Sequence, residues 1–407
     1  MELIYIAHCV PWPPDKGDRI RAFHVIQHLV KNHRVHLVCV TRNAAGALAP
    51  SPFGKAIASL HIEVLNIPRA VIRGLFGIVA GRSFTTAFHT SPALRRYIRM
   101  LLADRPIHAA VVLSSSMAGY APSGIPFLAD WGDVDSQKRL DYAAMRRFGW
   151  AQRLEALRMR ADECAVARRA HCTFLTTLSE LQLFQRIAPD VPALISGNGV
   201  DTEYFDPHMP LDIPAGLRRG QYLVFVGTLD YFPNSDAMRW FVREVFPALR
   251  RRNPDLDLML VGRNPGRDVL VLAREDGVSV TGTVQDVRPY LAGARAVIAP
   301  LRIARGVQNK VLEALAMGKR VLASEQVCQT LRPDLPAGVT CCATPADYIE
   351  AVEAIPQDPA TDWTIADAAR LRFSWSRNVE PLLAELSDIN RRFAGDDLPA
   401  PRIAKLS

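Results

Sequence analysis

The strongest constraint on this chain is a rhythm. Short runs rich in aliphatic and β-branched residues alternate with amphipathic stretches of helical length from one end to the other. In the first half the strand-like runs are residues 3–7, 35–40, 61–67, 109–113, 126–129 and 173–176, with helical stretches such as 19–31 and 152–169 between them. In the second half the strand-like runs are 222–226, 257–261, 278–281, 296–299 and 320–323, separated by helical stretches that include 235–251, 287–291 and 307–317. Alternation of this kind predicts the α/β class, with parallel sheets covered by helices on both faces. Two such sets in succession predict two doubly wound domains. The turn-rich stretch Asn198-Gly199-Val200-Asp201, followed by Asp206-Pro207, places the boundary at 200/201. The expected division is an N-terminal domain over 1–200, a C-terminal domain over 201–373 and a tail, 374–407. The tail holds a helix over 374–393, expected to cross back to the first domain, and a polar, proline-containing end at 395–401. Ligands of open α/β sheets bind at the carboxyl ends of the strands, so two facing domains imply a cleft between them.

At ~150 residues per domain, 407 residues suffice for two or three cores. No apolar run approaches the ~18 residues of a membrane span. The first ten residues contain Glu2 and His8 without a basic lead, so they read as a strand and not as a signal peptide. Seven cysteines, at 9, 39, 164, 172, 328, 341 and 342, are odd in number and never spaced C-x-x-C. That pattern argues against a disulfide framework or a zinc site and for a reducing cytoplasm. The adjacent Cys341 and Cys342 are assigned no role.

The net charge is +8, and the excess lies wholly in residues 1–204, with 24 Lys+Arg against 16 Asp+Glu; residues 205–407 balance at 25 and 25. A basic half suits nucleic acid, an anionic membrane face or an acidic substrate, and equally a plain solvated surface. Segment 138–169 concentrates nine of those cations against four acids, interspersed with Trp150, Leu154, Leu157 and Met159. Docking at the inner face of a membrane is one reading of it, a solvated helix the other. Nucleic acid is set aside, because no recognisable module occurs and the cations are not interleaved with exposed aromatics.

Two stretches carry chemistry. The loop after the first strand reads Pro11-Trp12-Pro13-Pro14-Asp15-Lys16-Gly17-Asp18-Arg19. Its prolines stiffen the strand exit, and Gly17 lets a ligand approach the backbone where the amides of the next helix point outward. It is not a G-x-G-x-x-G fingerprint, so no nicotinamide or flavin cofactor is expected. The second stretch, residues 299–323, is a strand, a loop with Arg302, Arg305 and Gly306, an amphipathic helix, a stop at Gly318 and another strand. Gly306 is expected to open the helix and leave the amides after it, at Gln308 and Asn309, free to bind an anion. Arg302, Arg305 and Lys310 would add three cations there, enough for a diphosphate. Glu313 lies off the apolar face and could accept hydrogen bonds from two sugar hydroxyls. A solvated helix with surface charges is the competing reading.

The segment Glu313-Ala314-Leu315-Ala316-Met317-Gly318-Lys319-Arg320-Val321 resembles the donor-site signature of family 4 glycosyltransferases of the GT-B fold. The resemblance extends to Pro13-Pro14-Asp15-Lys16-Gly17-Asp18-Arg19, to Asn198-Gly199-Val200-Asp201 with Phe205, and to Phe225-Val226-Gly227-Thr228-Leu229. Within the family the chain is most similar to sugar transferases of exosortase-associated exopolysaccharide systems. The resemblance implies transfer of a sugar from a nucleotide-diphosphate sugar to a glycan or lipid-linked acceptor, with retention of configuration and neither metal nor cofactor. The donor would lie against the second domain and the acceptor against the first. By the same resemblance Glu313 holds the donor ribose, and Gly306, Gln308, Asn309 and Lys310 hold the diphosphate. Gly227 and Thr228 line its far side, Arg263 and the loop 282–286 approach base and phosphates, and Gly17, Asp18 and Arg19 form the acceptor loop.

Departures from the family pattern are informative. Arg305 stands where the first glutamate of the family's pair belongs, and the Arg and Lys usual after Gly227 are missing. Arg302, Arg305 and Lys310 are expected to replace those charges. The family's histidine after the strand at 126–129 is also missing, and the loop Asp130-Trp131-Gly132-Asp133-Val134-Asp135-Ser136 offers carboxylates instead. A carboxylate there could orient the acceptor hydroxyl, take its proton or stabilise positive charge at the anomeric carbon. Asp133 and Asp135 are the catalytic candidates, Asp133 preferred; an Asx-rich turn capping the next helix is the alternative. Two other functions are weighed: a nucleotide-sugar epimerase, which needs a second acid/base pair, and a catalytically inactive nucleotide-sugar sensor.

Overall fold

In the computed structural model of the chain, residues 1–42, 49–144, 149–357, 360–393 and 395 are described. They divide into two compact units, Met1–Asn198 with Asn378–Ser407, and Gly199–Arg377. The boundaries at 198/199 and 377/378 differ by a few residues from the 200/201 and 373/374 read from turn chemistry.

The first unit contains strands β1 (Glu2–Ala7), β2 (Arg34–Thr41), β3 (Ile57–Val64), β4 (Ala109–Leu113), β5 (Phe127–Gly132), β6 (Cys172–Leu175) and β7 (Ala193–Ile195). Its helices are α1 (Gly17–Leu29), α2 (Ile67–Val79), α3 (Phe84–His89), α4 (Pro92–Asp104), α5 (Asp135–Ala144), α6 (Trp150–Ala167) and α7 (Leu178–Ile187). The sheet is parallel throughout, in the order β3-β2-β1-β4-β5-β6-β7. Reversal of strand order beside β1 creates the switch point at which such sheets open a crevice. Every residue of β4 and β5 is buried, which explains why these strands read as continuous apolar runs and do not alternate.

The second unit repeats the plan with β8 (Tyr222–Val226), β9 (Asp257–Val261), β10 (Val278–Gly282), β11 (Ala296–Ala299), β12 (Val321–Ser324) and β13 (Val339–Cys342). Its parallel sheet runs β10-β9-β8-β11-β12-β13, with the switch point between β8 and β11. The helices are α8 (Phe232–Trp240), α9 (Phe246–Arg252), α10 (Arg267–Leu270), α11 (Arg288–Gly293), α12 (Asn309–Ala316), α13 (Glu325–Leu331), α14 (Pro345–Glu353), α15 (Trp363–Phe373) and α16 (Trp375–Phe393). From Asn378 onward α16 belongs to the first unit. There Ser196 Oγ donates to the Asn378 carbonyl, His171 pairs with Glu385 at 3.1 Å, and the His108 ring meets Phe393 edge-on.

Several expectations are corrected. Strands β7 and β13 and helices α2 to α4 were not read from the sequence. β13, Val-Thr-Cys-Cys, is too short and too polar to stand out, and the 61–67 run ends where Asn66 caps α2 by accepting from the Arg69 amide. Cys328 and Cys341 are joined by a disulfide, whereas the scattered cysteines argued against any. The two cysteines lie on α13 and on β13, a pairing that spacing along the chain cannot reveal. Most of the polar tail, 396–401, lies outside the described residues. None of the described helices is long and apolar enough to cross a membrane.

Candidate functional site

In the second unit the site grows from the carboxyl end of β8. After Val226 the chain turns at Gly227, whose amide donates to the Val261 carbonyl, while the Leu229 amide donates to Arg263. A Cβ on Gly262 would fall 1.7 Å from the Gly227 carbonyl oxygen, so these two strand exits touch backbone to backbone. A Cβ on Gly227 would meet Asn234 Nδ2 at 3.0 Å and Lys310 Nζ at 3.3 Å. The missing side chain is thus the room into which a lysine from α12 and an asparagine from α8 reach.

Asn234 is buried and joins both. Its Nδ2 donates to the Thr228 carbonyl at 2.8 Å, and its Oδ1 accepts from Lys310 Nζ at 2.7 Å. The same ammonium stands 4.5 Å from the centre of the Phe225 ring. Glu313 follows one helical turn after Lys310. Burial pulls the Lys310 ammonium down to about 7, opposed by Glu313, and pushes the Glu313 carboxyl up to about 7, opposed by Lys310. A half-buried cation against the glycine turn, with a half-buried carboxylate one helical turn on, forms a place for a ligand with both charge and hydroxyls. Gln308, the residue before α12, makes no capping bond with its side chain, and the dipole of the helix favours an anion there.

Two features of the expected phosphate cradle are different in the structure. Gly306 is buried in a left-handed turn (φ +60°) and does not open the helix; α12 begins at Asn309, after Gln308, whose Nε2 donates to the Arg305 carbonyl. Arg302 is not an open cation. It makes a bidentate pair with Asp236, at 2.8 and 2.5 Å, and Asp236 is buried. The expected trio of cations is therefore reduced at Arg302, with Arg305 half-buried beside it. In the loop 282–286, Asp286 is held by Arg288 at 2.9 Å and by the Tyr204 hydroxyl at 3.1 Å, with the guanidinium 3.9 Å over the Tyr204 ring. Asn234 and Asp236 were missed. Phe232-Pro233 signals a helix start, but nothing local marks which residues of that helix turn inward.

In the first unit β5 and the stretch after β7 converge on a buried arginine. Arg21 of α1 forms a bidentate pair with Asp130, at 2.8 and 3.0 Å through Nε, with both side chains almost wholly buried. It donates further to the carbonyls of Ser196 and Gly197 and to Asn198 Oδ1. Asp130 is thus occupied in holding the unit together. Asp133 follows, half-buried, hydrogen-bonded to Thr176 Oγ1 at 3.2 Å and 3.8 Å from Lys138 Nζ. Burial raises its carboxyl above the usual range, Lys138 opposing and the charge of Asp135 adding. Asp135 opens α5 and accepts from Ser115 Oγ at 2.8 Å.

The loop is fixed from behind by two buried glutamates that sequence reasoning missed. Glu180 accepts the Val134 amide at 2.7 Å, and Glu163 accepts the Ser136 amide at 3.0 Å and its hydroxyl at 2.5 Å. Burial, reinforced by Asp135, pushes Glu163 up to about 8. These glutamates, and not an Asx turn of the loop itself, serve the start of α5.

Gly17 is the first residue of α1, and the space where its Cβ would lie is open. Asp18 bonds to His8 at 3.0 Å; although burial pushes its carboxyl up, that bond and the His8 and backbone contacts hold it well below the usual range. Arg19 pairs with Asp15 at 3.0 Å. His8, Cys9 and Asp18 each bring a donor atom within 4.8 Å of the others. Burial raises the Cys9 thiol, the opposite of what thiolate ligation of a metal requires.

Residues 220–358 match the family model described as Glycosyl transferases group 1. No curated protein matches the chain by sequence. Among solved structures, the chain is similar to a sucrose-phosphate synthase of Thermosynechococcus elongatus, with TM-score 0.68 and 16% identity over 98% of this chain and 100% of that one. It is also similar to HepE of Anabaena in complex with UDP, with TM-score 0.66 and 13% identity over 95% and 100% of the two chains. A third is the catalytic domain of starch synthase IV of Arabidopsis thaliana, bound to ADP and acarbose, with TM-score 0.62 and 10% identity over 96% and 100%. Two Rossmann-like units in this order are the GT-B fold, and the match to the group 1 model lies within the second.

Proposed function

We propose that the chain is a retaining glycosyltransferase that moves a sugar from a nucleotide-diphosphate sugar to a glycan or lipid-linked acceptor in the synthesis of an exopolysaccharide or cell-envelope glycan. The observation that carries this reading is the meeting of Lys310 and Asn234 at the Gly227 turn, with Glu313 one helical turn after Lys310, inside the region that matches the group 1 model. Similar structures point the same way, since HepE is in complex with UDP and glucose and starch synthase IV is bound to ADP.

In this reading the donor diphosphate lies over Gly227 and Thr228, against the Lys310 ammonium and the first turn of α12. Gly306, Gln308 and Asn309 shape its loop. The ammonium stabilises charge on the departing diphosphate, which grows as the glycosidic bond breaks. Glu313 accepts hydrogen bonds from the ribose. Arg263 and Arg305 approach the phosphates, and Arg302 serves at one remove by fixing Asp236. Asp133, its carboxyl raised by burial, is proposed to orient the acceptor hydroxyl and take its proton, with Asp135 behind it. Gly17, Asp18 and Arg19 border the acceptor. Neither a metal nor a cofactor is proposed, and the place of action is the cytoplasm, on the inner face of the membrane.

A thermal-shift panel of UDP, GDP, ADP, TDP and their common sugars tests the reading. A ligand at ~100 times its dissociation constant stabilises the fold by about 2.7 kcal/mol. One responding base in the parent, lost in Glu313→Ala, is the expected outcome. No response from folded protein overturns it, and binding without turnover on any acceptor extract would make the chain a sensor.

A further inference from the structure

Helix α2 is built inside out. Its buried residues are the small ones, Ala70, Gly74 and Gly77, spaced four and three apart on one face. They are buried against α3: a Cβ on Gly74 would come within 2.3 Å of the Phe84 ring, and one on Gly77 within 2.5 Å of Ala87. Close approach of the two helices turns the large side chains of α2 outward. Ile72 is 53% exposed, Leu75 55%, Phe76 71% and Val79 88%. These recur at i, i+3, i+4 and i+7, so they form one continuous apolar stripe. A helix that packs its glycines and exposes its phenylalanine is not arranged for water.

Along the chain, the charge of this stretch has one sign. From residue 64 to residue 103 the chain contains no Asp or Glu and six arginines, at 69, 73, 82, 95, 96 and 99. Arg69, Arg82, Arg96 and Arg99 are exposed. A second exposed apolar run, Trp150, Leu154 and Leu157, lies on α6. Glu155 of the same helix accepts from Ser83 Oγ and from the amides of Phe84 and Thr85, which ties α6 to the turn that follows α2. Three of the six described arginines of segment 138–169 are engaged inside the unit. Arg139 donates to Gln152 and Thr85, Arg160 to Gln137, and Arg169 to the carbonyls of Ala121 and Pro122. Arg146 and Arg147 lie outside the described residues.

We propose that α2, supported by the exposed run on α6, docks the chain on an anionic lipid bilayer, its apolar stripe lying in the interface between headgroups and acyl chains. A stripe of Ile, Leu, Phe and Val flanked by arginines, with an exposed tryptophan nearby, suits that boundary. The absence of any acid over 40 residues matches a uniformly negative surface, where a protein partner would call for mixed charges. Docking deepens the transferase reading by giving its lipid-linked acceptor a meeting place, and rests on that reading for its purpose only.

Flotation of the full chain with vesicles decides it. Vesicles about one-third phosphatidylglycerol in phosphatidylcholine should carry the protein at least about tenfold better than phosphatidylcholine alone. The double variant Phe76→Ser with Val79→Ser should lose about tenfold or more of that partitioning, with its melting temperature unchanged or raised, because both side chains are exposed. Arg69→Gln with Arg73→Gln should weaken binding to the anionic vesicles and leave the weak binding to neutral ones. The docking is overturned if the parent stays unbound, or if the Phe76/Val79 variant floats as well as the parent. A parent that ignores vesicles but is a dimer, made monomeric by that variant, would show that a second copy covers the stripe. Nucleotide thermal shifts on the same variant should equal those of the parent, so a failure of docking and a failure of donor binding are read separately.

Discussion

Lys310 and Glu313 occupy the same turn of α12, and burial drives both toward their neutral forms near pH 7. For Lys310 the unfolded chain holds more protons between about 7 and the ordinary value near 10.5, so its contribution to stability rises with pH through that window. For Glu313 the folded chain holds more protons between 4.5 and about 7, so its contribution falls there. The site is therefore most costly near neutral pH, where an anionic ligand that charges Lys310 has most to offer. Stabilisation by the nucleoside diphosphate that the panel selects should shrink as the pH is raised above about 7, and Lys310→Met should remove most of the stabilisation and its pH dependence together. Asn234→Ala should leave the Thr228 carbonyl without its donor and Lys310 without its acceptor. The expected loss is about 1–3 kcal/mol in a urea titration, with about tenfold weaker nucleotide binding in a titration calorimeter. Lys310 and Glu313 stand in one continuous segment and Gly227 in a second, so reading along the chain could single them out. Asn234 was not, because it comes to Lys310 from 76 residues away, and only the packing of α8 beside α12 selects it.

Elements were legible in proportion to how completely they are buried. The central strands β1, β4, β8 and β11 read as unbroken apolar runs, and the structure has them in place. The edge strands β7 and β13 are three and four residues long and escaped notice. Helix α2 was not named, although its large apolar residues at 72, 75, 76 and 79 do recur at helical spacing; the residues it buries are the small ones, Ala70, Gly74 and Gly77, which do not stand out as a core face. The aspartate loop before α5 was found, but its fastening was not: Glu163 and Glu180 stand on α6 and α7, one and two helices further along. This fastening has a pH signature. Glu163, raised to about 8 mainly by burial, binds more protons folded than unfolded between 4.5 and about 8. Its contribution to stability is complete below that window and is lost as pH rises through it. Glu163→Gln, which stays neutral throughout, should melt higher than the parent at pH 8 and above and lose the decline between pH 5 and 8. A scan of melting temperature against pH reads both.

At the scale of the molecule, two cores are built from one chain, and the first is closed by a segment distant in sequence. The rhythm of strands and helices made the two units legible; which of them owns the last helix is decided by burial. Val379, Leu382 and Leu386 are fully buried and Ile389 nearly so, on a stretch of α16 assigned to the first unit. At ~1.5–3 kcal/mol for each such side chain, their removal amounts to ~6–12 kcal/mol, an upper bound set by the extended reference chain. The whole stability of a domain is usually about 5–15 kcal/mol. Ending the chain after Arg377 should therefore leave the first unit unfolded, while the second, which keeps Gly199–Arg377 whole, folds and still binds the nucleotide. Hydrogen exchange distinguishes the two, with protection lost over 1–198 and retained in β8, β9 and β11. If the first unit of the shortened chain stays protected, the tail is an attachment to that core and not a part of it. Loss of protection in both units would mean that the second core depends on the first, and the division at Asn198 would be one of contacts without independent stability.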